Sequence, residues 1–257
     1  MNRSKKELHQ STDSRIDKVI EEIQYKDDIL LQQEKENNVE KDLYIDGKLT
    51  IEDLYNYLVE AESYTVHYNK GERGKTAPTG IYYKSYPNWE GWRYLSQLAK
   101  DHDIKFDPAA SNKEGTKELT EILVNNDKYR NGFDKLVYKF IDEEFIQPLH
   151  LEYFPGKKSA LSYFSIAING GKGRAAKILQ KVLNKHGFNL KVDGQAGNKT
   201  YSALIESGLD DEYLNQQLLY EMYNFYNRLI ARNPAKYERF YNGWVNRLKR
   251  LGFKLNT

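Results

Sequence analysis

Residues 160–171 read Ala-Leu-Ser-Tyr-Phe-Ser-Ile-Ala-Ile-Asn-Gly-Gly. The first nine carry no charge, and Asn169-Gly170-Gly171 is a strong helix stop, because these residues tolerate the left-handed backbone that closes a helix. An uncharged stretch this short is far below the ~18 residues of a membrane span. It predicts instead a helix buried on all sides, and therefore a domain of helices packed around it. Working outward toward the C-terminus, apolar residues recur at helical spacing from Ala175 to Leu183 and from Thr200 to Ile205. A long helix is expected from Tyr213 to Arg232, halted by Asn233-Pro234, and a last one carries Phe240, Trp244, Leu248 and Leu251.

Working outward in the other direction, three further helical stripes emerge. They are Trp92/Leu95/Leu98, Leu119/Ile122/Leu123, and Phe133/Leu136/Val137/Phe140/Ile141, the last expected to stop before Pro148. The pattern breaks over residues 63–88, where Gly71, Gly74, Pro78, Gly80 and Pro87 punctuate short aromatic and β-branched pieces. That reads as a small β-hairpin lobe. Just before it, Thr50-Ile-Glu-Asp53 is a capping box opening a helix whose apolar face is Leu54, Tyr57, Leu58 and Ala61. Tyr44–Lys48 reads as a turn. Residues 1–45 are densely charged and hold one short stripe, Ile16, Val19, Ile20 and Ile23, read as a solvated helical extension or a docking segment for a larger assembly. The expected fold class is mainly α, with a small β-hairpin lobe on the N-terminal side and an extra N-terminal helical segment.

Composition excludes several functions. The 257 residues are 39% hydrophobic with a mean hydropathy of −0.81, yet 21 Tyr, 10 Phe and 3 Trp supply the apolar bodies of a core. A formal charge of +2, from 39 basic and 37 acidic side chains, argues against sequence-independent nucleic-acid binding. With no cysteine there is no disulfide, thiol nucleophile or cysteine metal site, and the five His form no close pair, so no metal or other cofactor is expected. No secretory signal is visible in the first twenty residues, so action outside the cytoplasm needs another route.

Chemistry is best sought where the Leu54–Ala61 face ends. A carboxylate at the end of a packed helix, facing a Gly-rich hairpin, is a sound site for general-acid work, because packing restricts water and holds the proton on one carboxyl. Glu60 and Glu62 lie at that helix end, with Glu72, Thr76 and Thr79 in the hairpin. Asp193-Gly-Gln-Ala-Gly197 lacks the acids of a calcium loop and the Gly-Lys-Ser/Thr of a phosphate loop, so it reads as a structural turn. Trp244 reads as core, and Arg247–Arg250 as a solvated helix face that could lean toward anionic wall polymers.

Several of these pieces resemble glycoside hydrolase family 108, the lysozyme-like N-acetylmuramidases of phages and bacteria. Leu58-Val-Glu-Ala-Glu-Ser-Tyr64, Gly74-Lys-Thr76 and Gly80-Ile81 are similar to its start, loosely. Phe164-Ser-Ile-Ala-Ile-Asn-Gly170, Arg174-Ala-Ala-Lys-Ile-Leu-Gln180, Asp193–Gly197 with Thr200, and Phe240-Tyr-Asn-Gly-Trp244-Val-Asn-Arg247 resemble its peptidoglycan domain, in order and more closely. The likeness covers roughly residues 48–252. It implies an extension over 1–45 and a lysozyme-like domain over 46–257, of which 160–252 is the peptidoglycan-domain part.

The resemblance implies hydrolysis of the β-1,4 bond between N-acetylmuramic acid and N-acetylglucosamine. Glu62 takes the place of the catalytic acid, with Glu60 as the alternative. Glu72 and Thr76 would orient water; two carboxyls acting so would lie about 6.5–9.5 Å apart in an inverting enzyme. Two departures stand out: Ser63-Tyr64 replaces Gly-Gly after the acid, and the hairpin Asp is absent, with Glu72 the nearest acid. Among the aromatic residues crowding this region, Tyr64, Tyr68, Tyr82 and Trp89 are the candidates for stacking on sugar. The implied partner is the peptidoglycan glycan strand, with a virion or secretion assembly docking through 1–45, and no nucleic acid or membrane span. The implied place of action is the periplasm or cell wall, reached by phage release or non-classical export. The rival expectation is a catalytically inactive lysozyme-fold protein with a structural or glycan-binding role in a virion.

Overall fold

A computed structural model describes residues 49–254; the readings made for 1–45 and for Tyr44–Lys48 lie outside the described residues. Nine helices are labelled here among those described: α1 Ile51–Glu62, α2 Glu90–Asp101, α3 Thr116–Asn125, α4 Asp127–Ile141, α5 Lys157–Gly170, α6 Lys172–Lys185, α7 Asn198–Glu206, α8 Asp211–Arg232 and α9 Tyr241–Arg250. The fold is mainly helical, as expected. The hairpin lobe is reduced to two isolated antiparallel bridges, His67 with Thr76 and Thr76 with Tyr82. Five Gly and Pro residues between 71 and 87 interrupt the chain too often for a continuous ladder.

The described residues divide into two compact units, 55–140 and a second made of 49–54 with 141–254. In the first, Leu58, Val66, Leu95, Leu98, Leu119, Leu123, Phe133 and Val137 are buried. Around them runs an aromatic cluster. The Trp89 ring stands edge-on to Trp92 at 5.7 Å and to Phe133 at 5.6 Å, and Tyr86 meets Phe140 at 4.7 Å. Such tilted pairs are the arrangement the ring quadrupoles favour.

In the second unit α5 is the hub. Ala160, Tyr163, Phe164, Ile166 and Ala167 are buried along it, and so are Ser159, Ser162 and Ser165. The buried hydroxyls need partners. Ser162 donates to Asn215 Oδ1 at 2.5 Å, leaving the Asn215 amide to donate to the Leu251 carbonyl at 3.1 Å. Asp211 closes the start of α5 from outside: its carboxylate accepts from the amides of Lys158 at 3.0 Å and Ser159 at 2.8 Å, and from the Ser159 hydroxyl at 2.6 Å. An anion there also suits the positive end of the helix. Gly171, at φ +85°, ends α5 at the expected stop.

The Thr50 capping box forms in both directions. The Asp53 amide donates to Thr50 Oγ1 at 3.2 Å, and the Thr50 amide donates to Asp53 Oδ2 at 2.8 Å. One helix boundary differs from expectation. After α4 the chain does not stop before Pro148 but winds on through a π-turn, Asp142–Ile146, and a short helical piece, Gln147–Leu149. Pro148 sits in the first turn of that piece, where its missing N–H costs nothing. His150, at φ +47°, then ends it.

Candidate functional site

A cleft of about 630 Å³ opens in the 55–140 unit at the C-terminal end of α1. One wall is Glu60, Ala61, Glu62 and Ser63; the others are Thr65, His67, Tyr68 and Asn69 from the following bends, and Lys113 and Thr116 at the start of α3. Local sequence explains these walls. Over Thr65-Val66-His67 the extended backbone alternates faces, so Val66 is buried and its two neighbours are left toward the cleft. Thr120 pins this segment to α3, accepting from the Val66 amide at 2.9 Å while donating to the Thr116 carbonyl at 2.7 Å.

The backbone on either side of Glu62 is held in an uncommon conformation. Ser63 has φ +67° and Thr79 has φ +68°. For a β-branched residue such as Thr79 this is a genuine outlier, and strain of this kind costs of order 1–3 kcal/mol. The two residues are tied together, because the Thr79 amide donates to the Ser63 carbonyl at 3.1 Å. Ser63 thus adopts at some cost a conformation that Gly takes freely. Next to Thr79, Gly80 lies directly against the acid: a Cβ there would stand 2.8 Å from Glu62 Cγ and 3.4 Å from its Cδ. Glu62 is half-buried, its side chain pressed on one side by bare backbone and bordering the cleft on the other.

The other sequence candidates have the following places. Thr76 is buried, and its backbone pairs with His67, accepting at 2.9 Å and donating at 2.8 Å. Glu72 is outside the cleft lining; its Oε1 accepts from the side-chain amide of Asn69, a lining residue, at 3.3 Å, and its Oε2 is shielded without a hydrogen-bond partner among the described residues. Tyr68 lines the cleft. The Tyr64 hydroxyl donates to Asp134 at 2.7 Å beneath the Arg130 guanidinium, which is 4.5 Å from the ring centre. Burial, and then the Asp134 carboxylate, push the Tyr64 phenol up, so it stays a proton donor in this packed group. The Tyr82 hydroxyl accepts from the Arg73 amide at 2.8 Å. Trp89 belongs to the aromatic cluster described above, and its indole N–H donates to the Leu136 carbonyl at 3.4 Å.

Sequence reasoning missed His67, Asn69, Thr65, Lys113 and Thr116. The alternation around Val66 was a usable signal for Thr65 and His67. Nothing local marks Lys113, which comes from a loop more than forty residues downstream. Among the described residues, no group of three or more His, Asp or Glu side chains is placed to share a metal ion. No helix among them is long and apolar enough to cross a membrane.

In the second unit, the turn after α6 closes on itself. Asp193 Oδ1 accepts from the Gln195 amide at 2.9 Å and from the Gln180 side chain at 3.1 Å, while Gln180 Oε1 accepts from the Gly194 amide at 3.1 Å. Gln180 is buried. This is the structural turn that its composition implied.

Residues 174–249, from α6 to α9, match a family described as Predicted Peptidoglycan domain. That part of the chain is a peptidoglycan-related domain, and peptidoglycan is the partner it points to. Among solved structures, the chain is similar to that of Brucella abortus SagA, at 17% identity over 78% of this chain and 90% of that one, with a TM-score of 0.45. No curated protein matches the chain.

Proposed function

We propose that this protein is a lysozyme-type N-acetylmuramidase, a glycoside hydrolase that cuts the β-1,4 bond between N-acetylmuramic acid and N-acetylglucosamine. The observation that carries the reading is Glu62, half-buried at a helix end, backed by Gly80 and bordering an open cleft. The match of residues 174–249 to a peptidoglycan domain supports the substrate class.

In this mechanism Glu62 enters protonated and hands its proton to the departing glycosidic oxygen as the sugar takes on oxocarbenium character. Water attacks the opposite face; the residues to which the family resemblance gives its orientation, Glu72 and Thr76, lie outside the cleft lining. Glu60 borders the same cleft and is the alternative acid. Tyr68 offers a ring to a sugar face, and Asn69 and Lys113 offer polar groups to its N-acetyl and carboxylate substituents. The protein acts at the cell wall, as a phage lysin, a virion-borne lysozyme or an exported effector.

The test is incubation with purified peptidoglycan and analysis of the products for new reducing ends at muramic acid. Glu62→Gln lowers the rate by about 10²–10⁴-fold, the usual worth of a positioned acid. Loss in Glu60→Gln with retention in Glu62→Gln reassigns the acid. One observation favours a second reading, a non-catalytic glycan-binding relative: Glu72, the expected second carboxylate, is not part of the cleft lining. Pelleting on sacculi without any release by the unmodified protein establishes that alternative.

A further inference from the structure

On the second unit, the end of α8 and the start of α9 carry a feature that the cleft does not use. Trp244 lies flat on Tyr226, ring centres 4.6 Å apart and 16° from parallel, and Phe240 stacks with Trp244 at 5.8 Å and 22°. Tyr237 flanks Trp244 at 6.2 Å. Tyr226 is buried, Trp244 half-buried, and Phe240 41% exposed. Three rings in near-parallel stack, rising from core to surface, form a ridge that leaves apolar area in water.

Its surroundings are strongly cationic. Between residues 228 and 250 the chain holds seven Arg and Lys side chains against one carboxylate, Glu238, although the whole chain is only +2. The Arg239 guanidinium is 4.6 Å from the Phe240 ring centre, and Lys236 is 5.0 Å from that of Tyr237. Arg247, one turn after Trp244 and so on the same face, has its Nε shielded from solvent and without a hydrogen-bond partner among the described residues.

We infer that the Tyr226–Trp244–Phe240 ridge is a second glycan site, taking an N-acetylated amino-sugar strand that bears carboxylates. The flat C–H faces of pyranose rings stack on aromatic faces, and a ring exposed on one side serves this best. A neutral polysaccharide would leave the cations idle, whereas the lactyl groups of muramic acid and the carboxylates of its stem peptides complement them. Stacked rings amid cations also suit single-stranded nucleic acid. The glycan is favoured because all three rings, Arg239 and Arg247 fall within the residues that match the peptidoglycan domain. The inference shares its substrate class with the proposed function but needs no catalysis. The ridge would hold the protein on the wall between cleavage events.

The test uses the full chain carrying Glu62→Gln, so that binding is read without hydrolysis. Affinity for sacculi stripped of protein and secondary polymers is measured by co-sedimentation at physiological salt. Phe240→Ala, at an exposed position, weakens binding about tenfold with an unchanged melting temperature, and Phe240→Tyr, which keeps the ring, restores it. Soluble muropeptides compete, and N-acetylglucosamine oligomers lacking carboxylates compete less well. Unchanged binding in Phe240→Ala overturns the inference, and so does competition by a single-stranded oligonucleotide where muropeptides fail. Absence of reducing-end release from the unmodified protein refutes the proposed activity alone and leaves this readout intact.

Discussion

The bend around Glu62 and the turn at Asp193 are both polar, Gly-containing links at helix ends, and they resolve in opposite ways. At Asp193, the carboxylate, the Gln180 amide and the intervening backbone satisfy one another. Around Glu62, two non-glycine residues hold left-handed backbone, and Glu60, Glu62 and His67 border open volume. Strained backbone beside acids that border a cleft is what the proposed chemistry calls for, and a closed hydrogen-bond ring is what a scaffold calls for.

The sharpest way to break this contrast is a pair of substitutions. Glu62→Gln reduces muramic reducing-end release by at least a hundredfold while leaving thermal unfolding within a degree or two. Gln180→Leu does the reverse. It strands the Gly194 amide and the Gln195 carbonyl, and costs about 2–3 kcal/mol by denaturant unfolding, with turnover per folded molecule unchanged. Swapped outcomes would mean that the two regions had been assigned backwards.

A smaller effect appears on acidification. The Gln195 amide and the Gln180 side chain hold the Asp193 carboxyl below the ordinary carboxylate range. A depressed folded-state pKa contributes stability that is present above the unfolded value of about 4 and is lost as pH falls through the folded value. The stability difference between the unmodified protein and Asp193→Asn is therefore largest near neutrality and shrinks below pH ~4, as followed by urea midpoints. The smallest effect is at Ser63. Ser63→Gly relieves left-handed backbone and raises stability by about 0.5 kcal/mol, read as a higher urea midpoint; a loss instead would mean that the Ser63 hydroxyl, 2.9 Å from that of Thr65, matters more than the strain.

Helix positions were legible where apolar residues recur on one face, as along α6, because burial imposes that period directly, and along α5, where nine successive residues carry no charge. The capping box at Thr50 was equally readable, since both partners are local. The cleft was half legible. Glu62 and Tyr68 stood out near the helix end, but Lys113 reaches the same space by tertiary packing, which no local pattern encodes. Aromatic residues were harder to place for a related reason. A Tyr or Trp near a bend has the same sequence signature whether its ring faces a groove or, like Tyr64 and Trp89, packs inward with its polar tip bonded. Pro148 failed as a stop signal because the π-turn before it resets the register and lets the proline open a new first turn.

The bare backbone behind Glu62 makes position 80 a steric throttle. Adding a single methyl group, as in Gly80→Ala, removes no functional group, yet at 2.8 Å from Cγ it must lever the carboxyl out of place. The proton donor proposed above could thus be displaced by a wedge set behind it, with its own atoms untouched.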